Sequence, residues 1–304
     1  MTRIAFIGMG EAGSALITGW GVGTHAITAF DKKTDDPATR AELEDRYARL
    51  GITGCRSLAG ALAEADLVIS VVTADQAVLA ASAAAPHLDQ GTFFCDRNSC
   101  TPSSKQVSAL AVQAAGGRYV DVAVMAPVHP ALNKVPLLIS GPNAEDVAPL
   151  LQALPMTLRL VEGEVGRAST IKMVRSVLIK RLEALTSEFM LAVQAADVAD
   201  EVLATLQINY PGFEWDAQAA YNFERAMVHG VRRAAEMVEV AKTLDDLGLP
   251  NGVSKASVDW ELALSATPVV APADPADNDA LTMAAQLLPH IRRQGLCLDK
   301  CGHF

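Results

Sequence analysis

Short apolar runs recur along the first half of the chain, at 3–7, 26–30, 67–72, 92–96, 118–124, 136–140 and 157–161. Segments with apolar residues at helical spacing separate most of them, at 38–50, 75–85, 102–115 and 144–154. Strands alternating with helices predict βαβ units and a mostly parallel sheet. Ligands of such sheets bind outside the carboxyl ends of the strands. The pattern changes after Gly163-Glu164. From 165 to 196 there is no proline, and the one glycine, Gly166, stands near the start, so helical periodicity predicts a single long helix. Further helical patterns follow at 197–207, 216–248, 252–265 and 280–291, while 266–279, rich in Pro, Ala and Asp, reads as a linker or extended loop. The expected architecture is a doubly wound α/β domain over 1–163 followed by an all-α domain over 164–304.

The first strand carries the sharpest signal. Arg3 to Ile7 runs into Gly8-Met9-Gly10-Glu11-Ala12-Gly13, a helical pattern follows, and Asp31 closes the next apolar run eighteen residues past Gly13. This is the dinucleotide-binding fingerprint in strand-turn-helix context, and it makes the α/β domain a Rossmann domain. Gly8 permits the tight turn, Gly10 the approach of a pyrophosphate, and Gly13 close packing of helix on strand. Free N–H groups at the helix start favour the anion. The cofactor is then NAD or NADP. Asp31 would bond the adenosine ribose hydroxyls and repel a 2′-phosphate, which favours NAD. Lys32 and Lys33 follow directly and keep NADP open, although they also read as a solvated loop.

Other strand ends offer polar groups to the same crevice. Val72 and Thr73 close the 67–72 strand; Thr73 would line the cofactor or cap the next helix. Asp96-Arg97-Asn98-Ser99-Cys100-Thr101-Pro102 closes a strand and opens a helix. Asn98 is expected near the cofactor and Ser99 near the substrate, with helix capping as the competing reading and Thr101 as the N-cap. At the start of the long helix, Lys172 sits among Ile171, Met173 and Val174, and shares a stripe with Arg175, Ser176, Ile179 and Glu183. A lysine in so apolar a setting can have a lowered pKa and transfer protons; the plain alternative is a surface lysine whose stem lies along the protein.

Four of these landmarks resemble the β-hydroxyacid dehydrogenases, relatives of 3-hydroxyisobutyrate and 6-phosphogluconate dehydrogenases. They are the Gly8–Gly13 turn, the Asp96–Pro102 segment (similar to Asp-x-Ser-Thr-x-x-Pro), the run Tyr119 to Val124 (similar to a strand ending in Asp-Ala-Pro-Val), and the glycine-led helix with Lys172. A later run, Met227 to Met237, is similar to a branch whose C-terminal domain is catalogued without a function. The resemblance implies hydride exchange between a nicotinamide cofactor and a hydroxy acid, with Lys172 as general acid/base; Ser176 is expected to orient the lysine or the substrate oxygen. It also shows departures. The usual Ser-Gly-Gly cradle for a substrate carboxylate is Met125-Ala126-Pro127 here. The Asn four residues past the lysine is Ser176, and Arg175 adds a cation suited to a carboxylate. Arg225, His229, Arg232 and Glu236 share one face of a later helix, and His229 and Arg232 are expected to help hold an anionic substrate. Their bland alternative is an Arg232–Glu236 pair on a solvated face. Glu183 is the one carboxylate on the lysine's stripe that would protonate an enol if decarboxylation followed.

Composition narrows the rest. Of 304 residues, 50% are hydrophobic and 20% charged, as in a globular protein. The net charge of −10 argues against nucleic acid, and it requires a local positive site for any anionic substrate. No apolar run is long enough to span a bilayer, no leader is expected, and a cytoplasmic homodimer is the reading for place and assembly. The five cysteines are expected to be reduced. Cys297, Cys301 and His303 are too few for a zinc site, and no metal is expected. The alternatives kept open are an NADPH-dependent aldehyde, ketone or imine reductase and a non-catalytic dinucleotide sensor.

Overall fold

The computed structural model describes residues 2–21, 25–272 and 277–294, so Cys297, Cys301 and His303 lie outside the described residues. The chain divides into two compact units, Met1–Met173 and Val174–Phe304. In the first unit eight strands form one sheet: β1 (Arg3–Ile7), β2 (Ala26–Phe30), β3 (Thr53–Gly54), β4 (Leu67–Ser70), β5 (Phe93–Asp96), β6 (Arg118–Val124), β7 (Leu137–Ser140) and β8 (Leu158–Leu160). Their order is β3-β2-β1-β4-β5-β6-β7-β8. All pairings are parallel except β6 with β7. This is the expected Rossmann-like α/β arrangement. β3 was not foreseen, because two exposed residues leave no apolar pattern to read.

Helices α1 (Glu11–Trp20), α2 (Pro37–Leu50), α3 (Leu58–Leu62), α4 (Ala77–Ala84), α5 (Pro102–Ala114) and α6 (Ala144–Ala153) cover the sheet on both faces. Ile4 and Phe6 pack with Leu16, Tyr47 and Val147 on one side. Ala5 and Ile7 pack with Leu62, Ala81 and Val112 on the other. Burial on both faces is why the strands read as unbroken apolar runs instead of alternating ones. The order reverses at β1: β2 and β3 lie to one side of it, β4, β5 and β6 to the other. In open α/β sheets this reversal, at the carboxyl ends of β1 and β4, is where ligands bind.

The long helix α7 (Arg167–Ala196) runs across the division between the units. It stops at Asp197, which takes a left-handed conformation (φ +55°) that aspartate tolerates better than most residues. The second unit adds α8 (Ala199–Asn209), α9 (Trp215–Asp246), α10 (Gly252–Ser265) and α11 (Ala280–Gln294), with no strand among the described residues. Its core joins Met190 and Leu191 of α7 to Phe223 of α9, Leu264 of α10 and Met283 and Leu287 of α11. No helix among the described residues is long and apolar enough to cross a membrane.

Candidate functional site

Gly8, Met9 and Gly10 link β1 to α1. Gly8 has φ +91°, and a Cβ on it would lie 2.6 Å from the Val71 carbonyl oxygen. Glycine is therefore required for the loops after β1 and β4 to approach each other. Gly10 precedes α1 without a side-chain cap, and a Cβ on it would meet nothing within 4 Å. The first N–H groups of α1 thus adjoin open space, the setting a pyrophosphate needs. Glu11 and Ala12 form the first turn, and Gly13 is buried beneath it. The backbone of Met9 is held on both sides: its N–H donates to Asp31 Oδ2 at 2.8 Å, and its carbonyl accepts from Arg46 Nη1 at 2.6 Å. Asp31 Oδ1 accepts from the Lys33 N–H at 3.0 Å, so the carboxylate is fixed in orientation. Lys32 is exposed and donates to Gln76 Oε1 at 2.8 Å. These features fit a dinucleotide: a glycine cradle with room above it and an oriented carboxylate at the end of β2.

Asn98 ties the loops after β4 and β5 together. Its Oδ1 accepts from the Val72 N–H at 2.7 Å and its Nδ2 donates to Ser70 Oγ at 3.0 Å, and the residue is 4% exposed. Its amide therefore shapes the loop that carries Val72. Thr73 is exposed and its hydroxyl bonds the Asp75 carboxylate, holding it below the usual range. Thr101 caps α5, its Oγ1 accepting from the Ser104 N–H at 3.0 Å.

One residue past Asn98, Ser99 accepts a hydrogen bond from Lys172 Nζ at 2.5 Å. Both are half-buried. The carboxyl end of β5 and the first turns of α7 thus meet in one polar pair. The start of α7 is itself anchored: Asp121 of β6 accepts from the N–H groups of Gly166 (3.1 Å) and Ser169 (3.0 Å), and Ser140 Oγ accepts from the Ala168 N–H at 2.9 Å. A buried carboxylate at a helix N-terminus satisfies free donors and meets the positive end of the helix dipole.

Beneath this lies a sealed ionic group. Lys105 of α5 is fully buried and donates to Asp96 Oδ1 at 2.9 Å, with Asp121 Oδ1 at 3.6 Å. Tyr119 donates to Asp96 Oδ2 at 2.7 Å. Burial works against the Lys105 charge, but Asp96, with Cys100 and Asp121, holds it above the ordinary lysine range. Burial, then the Asp96 charge, pushes the Tyr119 phenol well above its usual value. The group is closed to solvent and serves to place the strand ends and α7.

Met125 is half-buried and Ala126 exposed at the end of β6. Met125 lines a cavity of ≈ 290 Å³ with Pro136, Leu137, Leu138, Leu158 and Ile171. A larger cavity of ≈ 430 Å³ lies at the amino ends of the strands, around Arg3, Asp66 and Phe93, away from the fingerprint turn. Among the described residues, no group of three or more His, Cys, Asp and Glu side chains is arranged to hold a metal.

On α7, Arg175 is exposed and Ser176 is 6% exposed. Glu183 does not stand ready as an acid: it is buried and ion-paired with Arg233, whose Nε donates to its Oε2 at 2.6 Å. On α9, His229 is half-buried and Arg232 is exposed. Arg232 Nη1 lies 3.1 Å from Glu236 Oε1, the i, i+4 pair that spacing allowed, but Glu236 is mostly buried and also pairs with the buried Lys180.

Residues 3–162 match the family described as the NAD binding domain of 6-phosphogluconate dehydrogenase. The chain belongs to that family. Residues 194–262 match a second family model, a domain of unknown function (DUF1932). A solved structure from Sinorhizobium meliloti 1021, a conserved hypothetical protein, is 37% identical, covers 97% of each chain and superposes with a TM-score of 0.73. A Mycobacterium tuberculosis 3-hydroxyisobutyrate dehydrogenase, solved with L-serine, is 19% identical, with 94% of this chain and 99% of that one covered and a TM-score of 0.69. It shares the fold. An uncharacterised 28.5 kDa protein of Methanothermus fervidus is 25% identical over 245 residues, 79% of this chain and 90% of that protein.

Within this NAD-binding domain several residues escaped the sequence reading. Arg46 braces the fingerprint turn from α2, thirty-seven residues beyond Met9. Lys105 was missed, although it shares the buried stripe of α5 with Ala109 and Val112; a lysine on an apolar stripe is the signal that would have found it. Arg97, within a polar run that reads as a loop, is 5% exposed.

Proposed function

We propose that the protein is an NAD(P)-dependent oxidoreductase of small hydroxy acids, with Lys172 as the proton-transfer group and NAD preferred over NADP. The observation that carries this reading is the Lys172–Ser99 pair at the carboxyl edge of the same sheet that bears the fingerprint turn. A bound dinucleotide supplies hydride exchange at its nicotinamide ring. Gly8, Gly10 and the start of α1 hold the pyrophosphate, and Asp31, already oriented by Met9 and Lys33, accepts from ribose hydroxyls and repels a 2′-phosphate. Lys172 takes the proton of the substrate hydroxyl during oxidation and returns it during reduction. Ser99 keeps the amine directed along one line. The resemblance of Lys172 to the catalytic lysine of β-hydroxyacid dehydrogenases supports the same assignment.

The test mixes the protein with NAD or NADP and a panel of hydroxy acids and follows nicotinamide absorbance. Turnover by the wild type, lost in Lys172→Ala while dinucleotide affinity is kept, is the expected result. Dinucleotide binding without turnover across the panel would sink the oxidoreductase reading in favour of a sensor.

A further inference from the structure

Arg97 has two buried side-chain nitrogens, Nε and Nη1, without a hydrogen-bond partner among the described residues. The residue is 5% exposed, and no ion pair joins it to a carboxylate among the described residues. Burial pushes the guanidinium down to about 10, so it stays charged at neutral pH. A buried cation without a counter-charge is strongly unfavourable. Nearly every other buried cation of the fold avoids that state: Lys105 sits on Asp96, Lys180 on Glu236 and Arg233 on Glu183.

The strand geometry says where Arg97 faces. Its N–H donates to the Ser70 carbonyl at 3.0 Å, which continues the β4–β5 ladder one residue beyond Asp96. Side chains alternate along such a ladder. Asp96 points to Lys105 and Tyr119, so Arg97 returns to the face of Cys95, whose thiol is its electrostatic neighbour. That face carries Met9 of the fingerprint turn, and Val124 of β6 packs against it. Arg97 therefore lies at the carboxyl edge, on the face opposite Asp96, two residues from Ser99 and its bond to Lys172.

Position along the sheet separates two possible anions. β4 stands between β1 and β5, so Arg97 is two strand spacings, about 10 Å, from the turn that serves a pyrophosphate. It belongs instead with the end of the crevice that holds Lys172. At the neighbouring strand end, Met125, Ala126 and Pro127 offer no charged or hydroxyl side chain.

We propose that Arg97 is a substrate-binding residue that pairs with the carboxylate of the hydroxy acid and holds its hydroxyl near Lys172. The proposal rests on the hydroxy-acid reading above and adds the group that recognises the acid end. A carboxylate supplies the charge and the acceptors the guanidinium lacks. The same pairing explains how a chain of net charge −10 draws in an anion: the attraction is local and enclosed.

The test measures binding, not turnover. 3-Hydroxypropanoate is titrated into the protein saturated with NADH, a combination in which no hydride can move, alongside 1,3-propanediol, which lacks the carboxylate. Arg97→Gln and Arg97→Met are expected to weaken 3-hydroxypropanoate at least about tenfold while leaving NADH and propanediol unchanged, with Arg97→Lys falling between. Without ligand, Arg97→Met is expected to unfold at the wild-type temperature or above it, since it removes an unpaired buried charge. Lys172→Ala is expected to keep carboxylate binding, so that failed chemistry and failed anchoring are told apart. Four results overturn the proposal: wild-type affinity for 3-hydroxypropanoate in Arg97→Gln, no saturable binding to the wild type, a loss that falls on NADH instead, or a lowered unfolding temperature in Arg97→Met.

Discussion

Asp121 grips Ser169 with both carboxylate oxygens, Oδ1 accepting from the hydroxyl at 2.6 Å and Oδ2 from the backbone N–H at 3.0 Å. Ser169 lies one helical turn before Lys172, so the last buried polar residue of β6 sets the direction in which α7 starts. Asp121→Ala removes these bonds and leaves Lys105 with Asp96 alone. It is expected to cost about 3–5 kcal/mol, as for other broken buried pairs. Urea unfolding measures it, and a loss below about 1 kcal/mol would show that the anchoring is dispensable.

Lys172→Ala is expected to lower turnover by about 10²–10⁴-fold, the usual contribution of a positioned acid or base. Ser99→Ala leaves the amine in place but removes the Ser99 hydroxyl it donates to. A smaller drop in kcat, with a displaced pH–rate profile and an unchanged KM for the dinucleotide, is the expected pattern. Equal profiles in Ser99→Ala and wild type would remove Ser99 from the orienting role.

The fingerprint glycines separate by what surrounds them. Gly10→Ala meets open space and is expected to unfold like the wild type, yet to bind NADH at least about tenfold more weakly because its methyl occupies the pyrophosphate's approach. Gly8→Ala is expected to lose about 1–3 kcal/mol of stability, since the residue is left-handed and abuts the Val71 carbonyl. Calorimetric melting with and without NADH checks both.

Asp31→Ser is expected to raise the NADPH-to-NADH affinity ratio about tenfold by removing the charge that opposes a 2′-phosphate. Fluorescence titration of both dinucleotides reads it directly. An unchanged ratio would leave the preference to Lys32, Lys33 or Arg46.

Glu261 of α10 is 1% exposed, and neither of its oxygens has a hydrogen-bond partner among the described residues. Burial, against the pull of Arg233, Lys180 and Arg225 and with the push of Glu236, raises its carboxyl to about 7 from 4.5. The native state thus holds this proton more tightly than the unfolded chain. Glu261 is without penalty below about pH 4.5, loses stability as pH climbs to about 7, and carries its full cost above that, roughly 3 kcal/mol. Glu261→Gln is expected to melt higher than wild type at about pH 8 and level with it near pH 4.5. A lower melting temperature at the alkaline end would make Glu261 a needed partner of Arg233.

What could be read from the chain, and what could not, follows from the range of each interaction. The central strands of the sheet announce themselves because both faces are buried, and α7 because nothing between Gly166 and Asp197 interrupts it. The turn at Gly8 to Gly13 is local and so is its geometry. Lys105 is different: its partners Asp96 and Asp121 lie on two other elements, and no spacing rule joins them. Arg46 likewise reaches Met9 only once α2 has folded back. Arg97 hides among polar residues that suggest a loop, while its bond to Ser70 extends the β5 ladder one buried residue past the strand end.

Because Met9 is fastened at its amide by Asp31 and at its carbonyl by Arg46, the turn before α1 keeps its shape without help from a ligand. Dinucleotide capture is therefore expected to follow simple encounter kinetics. In stopped-flow mixing, the observed rate should rise in proportion to NADH concentration and show no plateau from a slow loop rearrangement. Cutting either fastening should introduce that plateau, because the loop would then have to find its shape after contact instead of before it.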